Sequence, residues 1–191
     1  MIDDVYVFDN IVDKKYQKKI KDLVYGAAFS WYLCEDVSIA DNPFQKRPGF
    51  KHHFVSPDGV ERSKFHKDMM PIIESSLEKI NFKKSYNVTQ GRAFLQVPLN
   101  LSDRHIVDTP HVDSQSPHLV VLYYVVDNEA KTIIYENKFE GYDKRPNIKE
   151  LKVKKMIVPK QGRVVMFNGN HWHTAEQPEN NIRAIINYNV V

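Results

Sequence analysis

A single cysteine, Cys34, is all the thiol this 191-residue chain carries, so no internal disulfide can form and a reducing compartment, the cytoplasm, is the expected setting. No stretch approaches the roughly 18 uncharged apolar residues that a membrane-spanning helix needs. Met1, Ile2, Asp3 and Asp4 make an acidic start that lacks the basic residues and apolar run of a secretory signal. A formal net charge of only +3 gives no ground for a nucleic-acid partner. Repeats and low-complexity segments are missing as well. What remains is ordinary for one globular domain: 42% hydrophobic and 27% charged residues over a length that buries a real core.

Two textures divide that domain. Residues 1–85 read as helical support with one long loop, and residues 86–191 as a β-rich core. A short strand at 5–8 precedes Asp13, an expected N-cap for a helix to Tyr25 with Tyr16, Ile20, Leu23 and Val24 as its apolar stripe. Lys14, Lys15, Lys18, Lys19 and Lys21 fit the solvated side of that helix. An aromatic strand is expected at 29–34. The segment from Asp41 to Arg62, with Phe50, His52, His53 and Phe54, is long enough to act as a lid over a site. A second helix over 63–79 buries Phe65, Met69, Ile72, Ile73, Leu77 and Ile80, with Pro71 predicting a kink or a break. Eight short strands follow, at 91–97, 109–113, 118–126, 132–136, 151–158, 163–167, 171–176 and 182–190. That number and spacing predict a mainly β, double-stranded β-helix (jelly-roll) core with the helices on one outer face. The basic stretch from Lys144 to Arg163 suits an exposed strand edge, where lysine discourages pairing with other chains.

Chemistry concentrates in the β half. His111 and Asp113, two apart on a strand, point to one face because strand side chains alternate. A distal histidine would complete two imidazoles and one carboxylate on one side of a metal, the arrangement that holds non-haem Fe(II) with open positions. His171 and His173 both qualify, since alternation turns them the same way. On the last strand Arg183, Ile185, Asn187 and Asn189 share one face, and Ile182, Ala184, Ile186 and Tyr188 the other. Apolar neighbours imply that Arg183 is buried, and a buried arginine needs an anion.

His111-x-Asp113, the distal histidine and the later arginine together resemble the iron(II)/2-oxoglutarate-dependent oxygenase family, nearest its prolyl-hydroxylase-like branch. The resemblance runs from about residue 90 to the end. It includes Val121-Leu122-Tyr123-Tyr124-Val125-Val126 after the His-x-Asp motif, Thr132-Ile133-Ile134-Tyr135, and the turn from Pro159 to Phe167. It implies Fe(II) on His111, Asp113 and His173, the last because the family's arginine usually follows its ligand by about the ten residues that separate His173 from Arg183. It also implies 2-oxoglutarate as co-substrate with its far carboxylate on Arg183 and Tyr124, a co-substrate contact from Asn187, molecular oxygen as oxidant, and ascorbate as reductant. Hydroxylation of a peptidyl side chain, prolyl included, or of a small amino-acid-like substrate is the implied activity. Nucleic-acid demethylases of the superfamily carry a second arginine where this chain has Asn189. Two other classes compete: a cupin-like metal protein using His171, His173 and Glu176, and a non-catalytic jelly-roll binding module.

Overall fold

The computed structural model describes residues 2–37, 47–82, 85–99, 107–144 and 146–191. Its elements in chain order are β1 (Tyr6–Phe8), α1 (Lys14–Val24), β2 (Tyr32–Cys34), β3 (Gly49–Val55), α2 (His66–Lys79), β4 (Val88–Gln96), β5 (Leu119–Tyr124), β6 (Thr132–Lys138), β7 (Val153–Ile157), β8 (Val164–Asn168), β9 (His171–Ala175) and β10 (Arg183–Val190). A seven-stranded sheet runs β1-β8-β5-β10-β4-β3-β2 and a three-stranded sheet runs β7-β6-β9. Every pairing is antiparallel. This is the jelly roll that the pattern predicts, with two helices packed on the outside of the larger sheet. Among the described residues no helix is long and apolar enough to cross a membrane.

Alternation divides the interior into layers. On the large sheet, Val121, Tyr123, Val164, Met166, Ala184, Ile186 and Tyr188 face α1 and α2, meeting Ile20, Val24, Met69, Ile72, Ile73 and Leu77. Their neighbours Val120, Leu122, Tyr124, Val165, Phe167 and Ile185 face the small sheet, meeting Ile134 and Ile157. A third cluster, Val112, Ile133, Tyr135 and Trp172, covers the small sheet's other side. The period of two along each strand thus assigns each residue to one packing layer.

The helices form for local reasons. Asp13 caps α1 by accepting the Tyr16 N–H at 2.8 Å, which satisfies a donor the helix itself leaves free. All five lysines of its first cluster are exposed, as a solvated face should be. Gln17 is buried and donates to the Val12 carbonyl at 2.9 Å. Gly162 lies against it with φ +80°, and a Cβ there would come within 2.4 Å of the Gln17 amide. The turn before β8 therefore requires glycine both for its backbone and for its space. α2 runs through Pro71 without the expected break. Proline forfeits only one helix hydrogen bond, and Lys67, whose carbonyl loses it, lies on the exposed side.

Seven of the eight expected core strands form. The eighth, at 109–113, is reduced to an isolated bridge between His111 and His173. The larger difference concerns the expected lid. Its residues 41–46 lie outside the described residues, but Phe50, His52, His53 and Phe54 belong to β3, hydrogen-bonded between β2 and β4. Phe54 is wholly buried. His52 sits 4.2 Å from the Phe29 ring, with Nδ1 on the Ser30 carbonyl at 2.6 Å and Nε2 against the Ser63 hydroxyl at 2.8 Å. Both lie in the helix-side core, so this segment is a wall of the sheet rather than a lid. Flanking prolines and glycines disguised a strand whose His52 is satisfied by tertiary contacts. The Lys144–Arg163 expectation fits: β7 is an edge strand with Lys154 and Lys155 exposed.

Candidate metal centre

His111 and His173 are held opposite each other by a reciprocal backbone pair, His111 N–H to the His173 carbonyl at 2.9 Å and His173 N–H to the His111 carbonyl at 3.0 Å. Their rings lie 4.6 Å apart. Each ring spends Nδ1 on a backbone carbonyl: His111 on Thr109 at 3.1 Å, His173 on His171 at 3.1 Å. A carbonyl can only accept, so Nδ1 carries the proton and the Nε2 lone pair is left free for a metal. Both Nε2 atoms face Asp113 Oδ1, at 3.8 and 3.9 Å. The three ligand atoms lie within 4.8 Å of one another, and among the described residues no other such group of histidine, cysteine and carboxylate side chains occurs.

Protonation suits a metal. Burial, then the neighbouring His111, pushes His173 down to about 4, so its imidazole is neutral at physiological pH. Burial alone would raise the Asp113 carboxyl, but Arg92, the two histidines and Asn187 outweigh it and hold the group ionised, well below the usual carboxylate range. Two imidazoles whose free Nε2 atoms converge with one carboxylate fit a divalent ion of the Fe(II) class.

The large sheet supplies the rest of the cavity through three cross-strand pairs of β4 and β10. Arg92 stands opposite Asn187, Phe94 opposite Ile185, and Gln96 opposite Arg183. The first pair grips Asp113: Arg92 Nη2 contacts Oδ1, and Asn187 Nδ2 donates to Oδ2 at 2.9 Å. The last pair forms the far end. Arg183, only 3% exposed, donates to Gln96 Oε1 and Thr132 Oγ1 at 2.9 Å each. Tyr124 donates its hydroxyl to the same Thr132 oxygen at 2.8 Å. Between the polar ends lie Phe94, Ile185 and Leu122 of β5. A cavity of about 90 Å³ joins the two ends, lined among others by Arg92, His111, Asp113, Thr132, His173 and Arg183.

No carboxylate among the described residues lies within 4 Å of the Arg183 guanidinium. Asp108, the nearby acid, is linked to it through Gln96 and pairs instead with Arg47 at 3.6 Å. Among the described residues Arg183 is therefore a buried cation with no carboxylate in contact.

His111, Asp113, His173 and Arg183 thus share one cavity. Tyr124 reaches it through Thr132, and Asn187 stands at the metal end, on Asp113. His171 turns its ring to the Tyr135 carbonyl at 2.7 Å, and Glu176 accepts from the Lys131 N–H at 2.9 Å, so the compact cupin-like cluster does not assemble. A bulge in β6 between Ile134 and Lys138 separates the surroundings of His171 from those of His173. Arg92, Gln96, Thr132 and Asp108 were not singled out in the sequence. Arg92 and Gln96 do alternate with Phe94, a polar pattern on a buried strand that could have marked the first two.

No protein-family model and no curated protein matches the sequence. Solved structures do match the fold. A 2OG-Fe(II) oxygenase family oxidoreductase from Burkholderia pseudomallei superposes with a TM-score of 0.67 at 11% identity, covering 97% of this chain and 84% of its own. The viral collagen prolyl hydroxylase of Paramecium Bursaria Chlorella virus-1, in complex with 2OG, gives 0.58 at 12% identity, covering 97% and 94%. SnoN, a non-heme alpha ketoglutarate dependent epimerase from nogalamycin biosynthesis, gives 0.66 at 10% identity, covering 98% and 78%. The chain has the fold of the 2OG-Fe(II) oxygenases.

Proposed function

We propose that this chain is an Fe(II)- and 2-oxoglutarate-dependent dioxygenase in which His111, Asp113 and His173 bind the iron and Arg183 anchors the co-substrate. One observation carries the reading. A buried cation with no carboxylate in contact among the described residues closes one end of the cavity whose other end is the two-histidine, one-carboxylate trio. Arg183 and Asn187 are four residues apart on β10, about 13 Å at strand spacing. That span would suit an arginine side chain together with a five-carbon dicarboxylate, and Phe94, Leu122 and Ile185 would give its methylenes an apolar lining. The guanidinium offers a fork that a carboxylate accepts in two hydrogen bonds. Tyr124 and Thr132 hold that end, and Asn187 fixes the Asp113 carboxylate.

Bound ferrous iron and 2-oxoglutarate supply the oxidising chemistry, in which oxygen is consumed and the co-substrate leaves as succinate and carbon dioxide. The protein's residues orient the co-substrate, keep the His173 imidazole neutral and the Asp113 carboxylate ionised, and exclude water with an apolar middle. Hydroxylation of a peptidyl side chain, prolyl included, or of a small amino-acid-like molecule is the activity we assign. The free, half-buried Cys34 accords with a reducing, cytoplasmic setting. Purified protein with Fe(II), 2-oxoglutarate and ascorbate should form succinate, and Asp113→Ala should not. Equal succinate from the two proteins would overturn the assignment.

A further inference from the structure

The trio leaves one strong charge unexplained. Arg92 is a cation inside the cleft, its side chain 13% exposed, and its guanidinium rests on Asp113 Oδ1, the oxygen that faces both histidines. A divalent ion at the trio needs that same oxygen, and ion and guanidinium repel each other. A divalent ion at the trio would compete with the guanidinium for that oxygen. Among the described residues the other charges of the inner cavity would have partners: the ion in Asp113 and one charge of 2-oxoglutarate, Arg183 in the other, and Asp108 in Arg47. Arg92 would then have no carboxylate to itself.

It has company. β3 lies beside β4 with His53 opposite Arg92 and Lys51 opposite Phe94, so both side chains share the cavity-facing side of the sheet. Lys51 makes no ion pair among the described residues. Arg92 Nε and His53 Nδ1 are buried without a hydrogen-bond partner. Burial first, then Lys51 and Arg92, lowers the His53 pKa, which marks a positive local potential. The Phe94 ring, 5.4 Å from the Arg92 guanidinium carbon, gives that side chain an apolar bed next to the metal end.

We propose that Arg92, with Lys51 and His53, binds a carboxylate of the primary substrate, and that metal loading frees Arg92 to do so. This rests on the assignment of the trio and Arg183 and narrows the substrate to a molecule with a carboxylate near the oxidised carbon. That group is either the α-carboxylate of a free or N-acylated amino acid or an acidic side chain within a peptide. A neutral prolyl peptide lacks it.

The test uses the full chain loaded with Zn(II), which binds without turnover, and ligand binding is read by calorimetry. 2-Oxoglutarate comes first: Arg183→Ala should abolish its binding and Arg92→Leu should retain it. No binding to the Zn(II)-loaded native protein would defeat the functional assignment itself rather than the Arg92 role. With 2-oxoglutarate saturating, N-acetyl amino acids are then compared with their neutral amides, and aspartate and glutamate capped at both ends with capped asparagine and glutamine. At least one member of the charged sets should bind, and its neutral partner at least tenfold more weakly. The set that binds identifies the source of the carboxylate. Arg92→Leu should weaken that probe on the order of 100-fold and Arg92→Lys less, because a point charge cannot reproduce the fork. Lys51→Met, one strand further from the trio on β3, should cost a few-fold. Zn(II) affinity should hold or rise in Arg92→Leu, since a competitor for Asp113 is gone. Equal binding of acids and amides, or collapse of Zn(II) affinity in Arg92→Leu with recovery in Arg92→Lys, would overturn the proposal in favour of Arg92 as a positioning residue for Asp113.

Discussion

On β10, Ala184, Ile186 and Tyr188 face the helices, while Arg183, Ile185 and Asn187 face the second sheet. Both rows are buried, yet their polar content differs sharply. The helix side is filled by aliphatic and aromatic groups, and apart from the Tyr123 hydroxyl its few buried polar atoms are mostly paired, as where Ser76 donates to the Ile72 carbonyl at 2.6 Å. The inner side holds two arginines, an ionised carboxylate and two histidines, and leaves Asn187 Oδ1 and Arg92 Nε without partners. A fold optimised only for stability would satisfy or remove such groups. The contrast separates a face that holds the protein together from one whose buried polar groups the proposed metal and co-substrate would satisfy.

The sharpest test of that division is Asp113→Ala. Two neutral imidazoles hold a divalent ion poorly, so Fe(II) or Zn(II) affinity should fall at least 1000-fold, measured by competition with a chromogenic chelator. Thermal stability without metal should also fall, because Arg92 and Asn187 lose the buried carboxylate they hold, so metal affinity is the readout that separates the two faces. Retained affinity would remove Asp113 from the ligand set.

The opposite face should respond in the opposite way. Ile73 is fully buried between α2 and the sheet. Ile73→Ala should cost about 2–5 kcal/mol of folding stability by chemical denaturation, through lost burial and the cavity left behind. Metal and 2-oxoglutarate affinities of the folded fraction should stay at the native level. A selective loss of ligand affinity without destabilisation would break the comparison.

Returning to the inner face, Arg183→Ala should weaken 2-oxoglutarate binding to the metal-loaded protein on the order of 100-fold, with metal affinity unchanged. Gln96→Ala should cost several-fold, since Gln96 aims the guanidinium through its 2.9 Å contact. Arg183→Ala binding the co-substrate at native strength would sink the anchor role.

The smallest effect concerns acid. Burial lowers the pKa values of His52 and His66 on the helix side from their ordinary 6.5. The unfolded chain then binds more protons than the native one, so stability is full above about pH 6.5 and is lost as pH falls through the window below it. His52→Gln should flatten this slope between pH 7 and 5 in denaturant titrations. An unaltered slope would mean His52 is not buried in neutral form.

Much of the scaffold was legible because it is written in short-range patterns. Asp13 announced α1, and the run 182–190 announced β10 with its two faces already assigned. His111 and Asp113 were readable as a pair from their spacing, although the strand expected to carry them is only an isolated bridge at His111. β3 was misread because its histidines look like surface chemistry until Ser30, Ser63 and Phe29 are placed around His52. Nothing local distinguishes a buried, satisfied histidine from an exposed one.

Residue order and the alternation of strand side chains were enough to define the β-rich half, the His-x-Asp arm and the buried row containing Arg183. Choosing between His171 and His173 by geometry required the antiparallel bridge to His111 and the bulge in β6. Finding Arg92 required the pairing of β4 with β10, which brings a residue 21 positions before Asp113 onto its carboxylate. Periodicity is a property of one segment, whereas charge neutralisation and ligand convergence depend on distances between segments. Those distances exist only once the sheets have closed around the cavity.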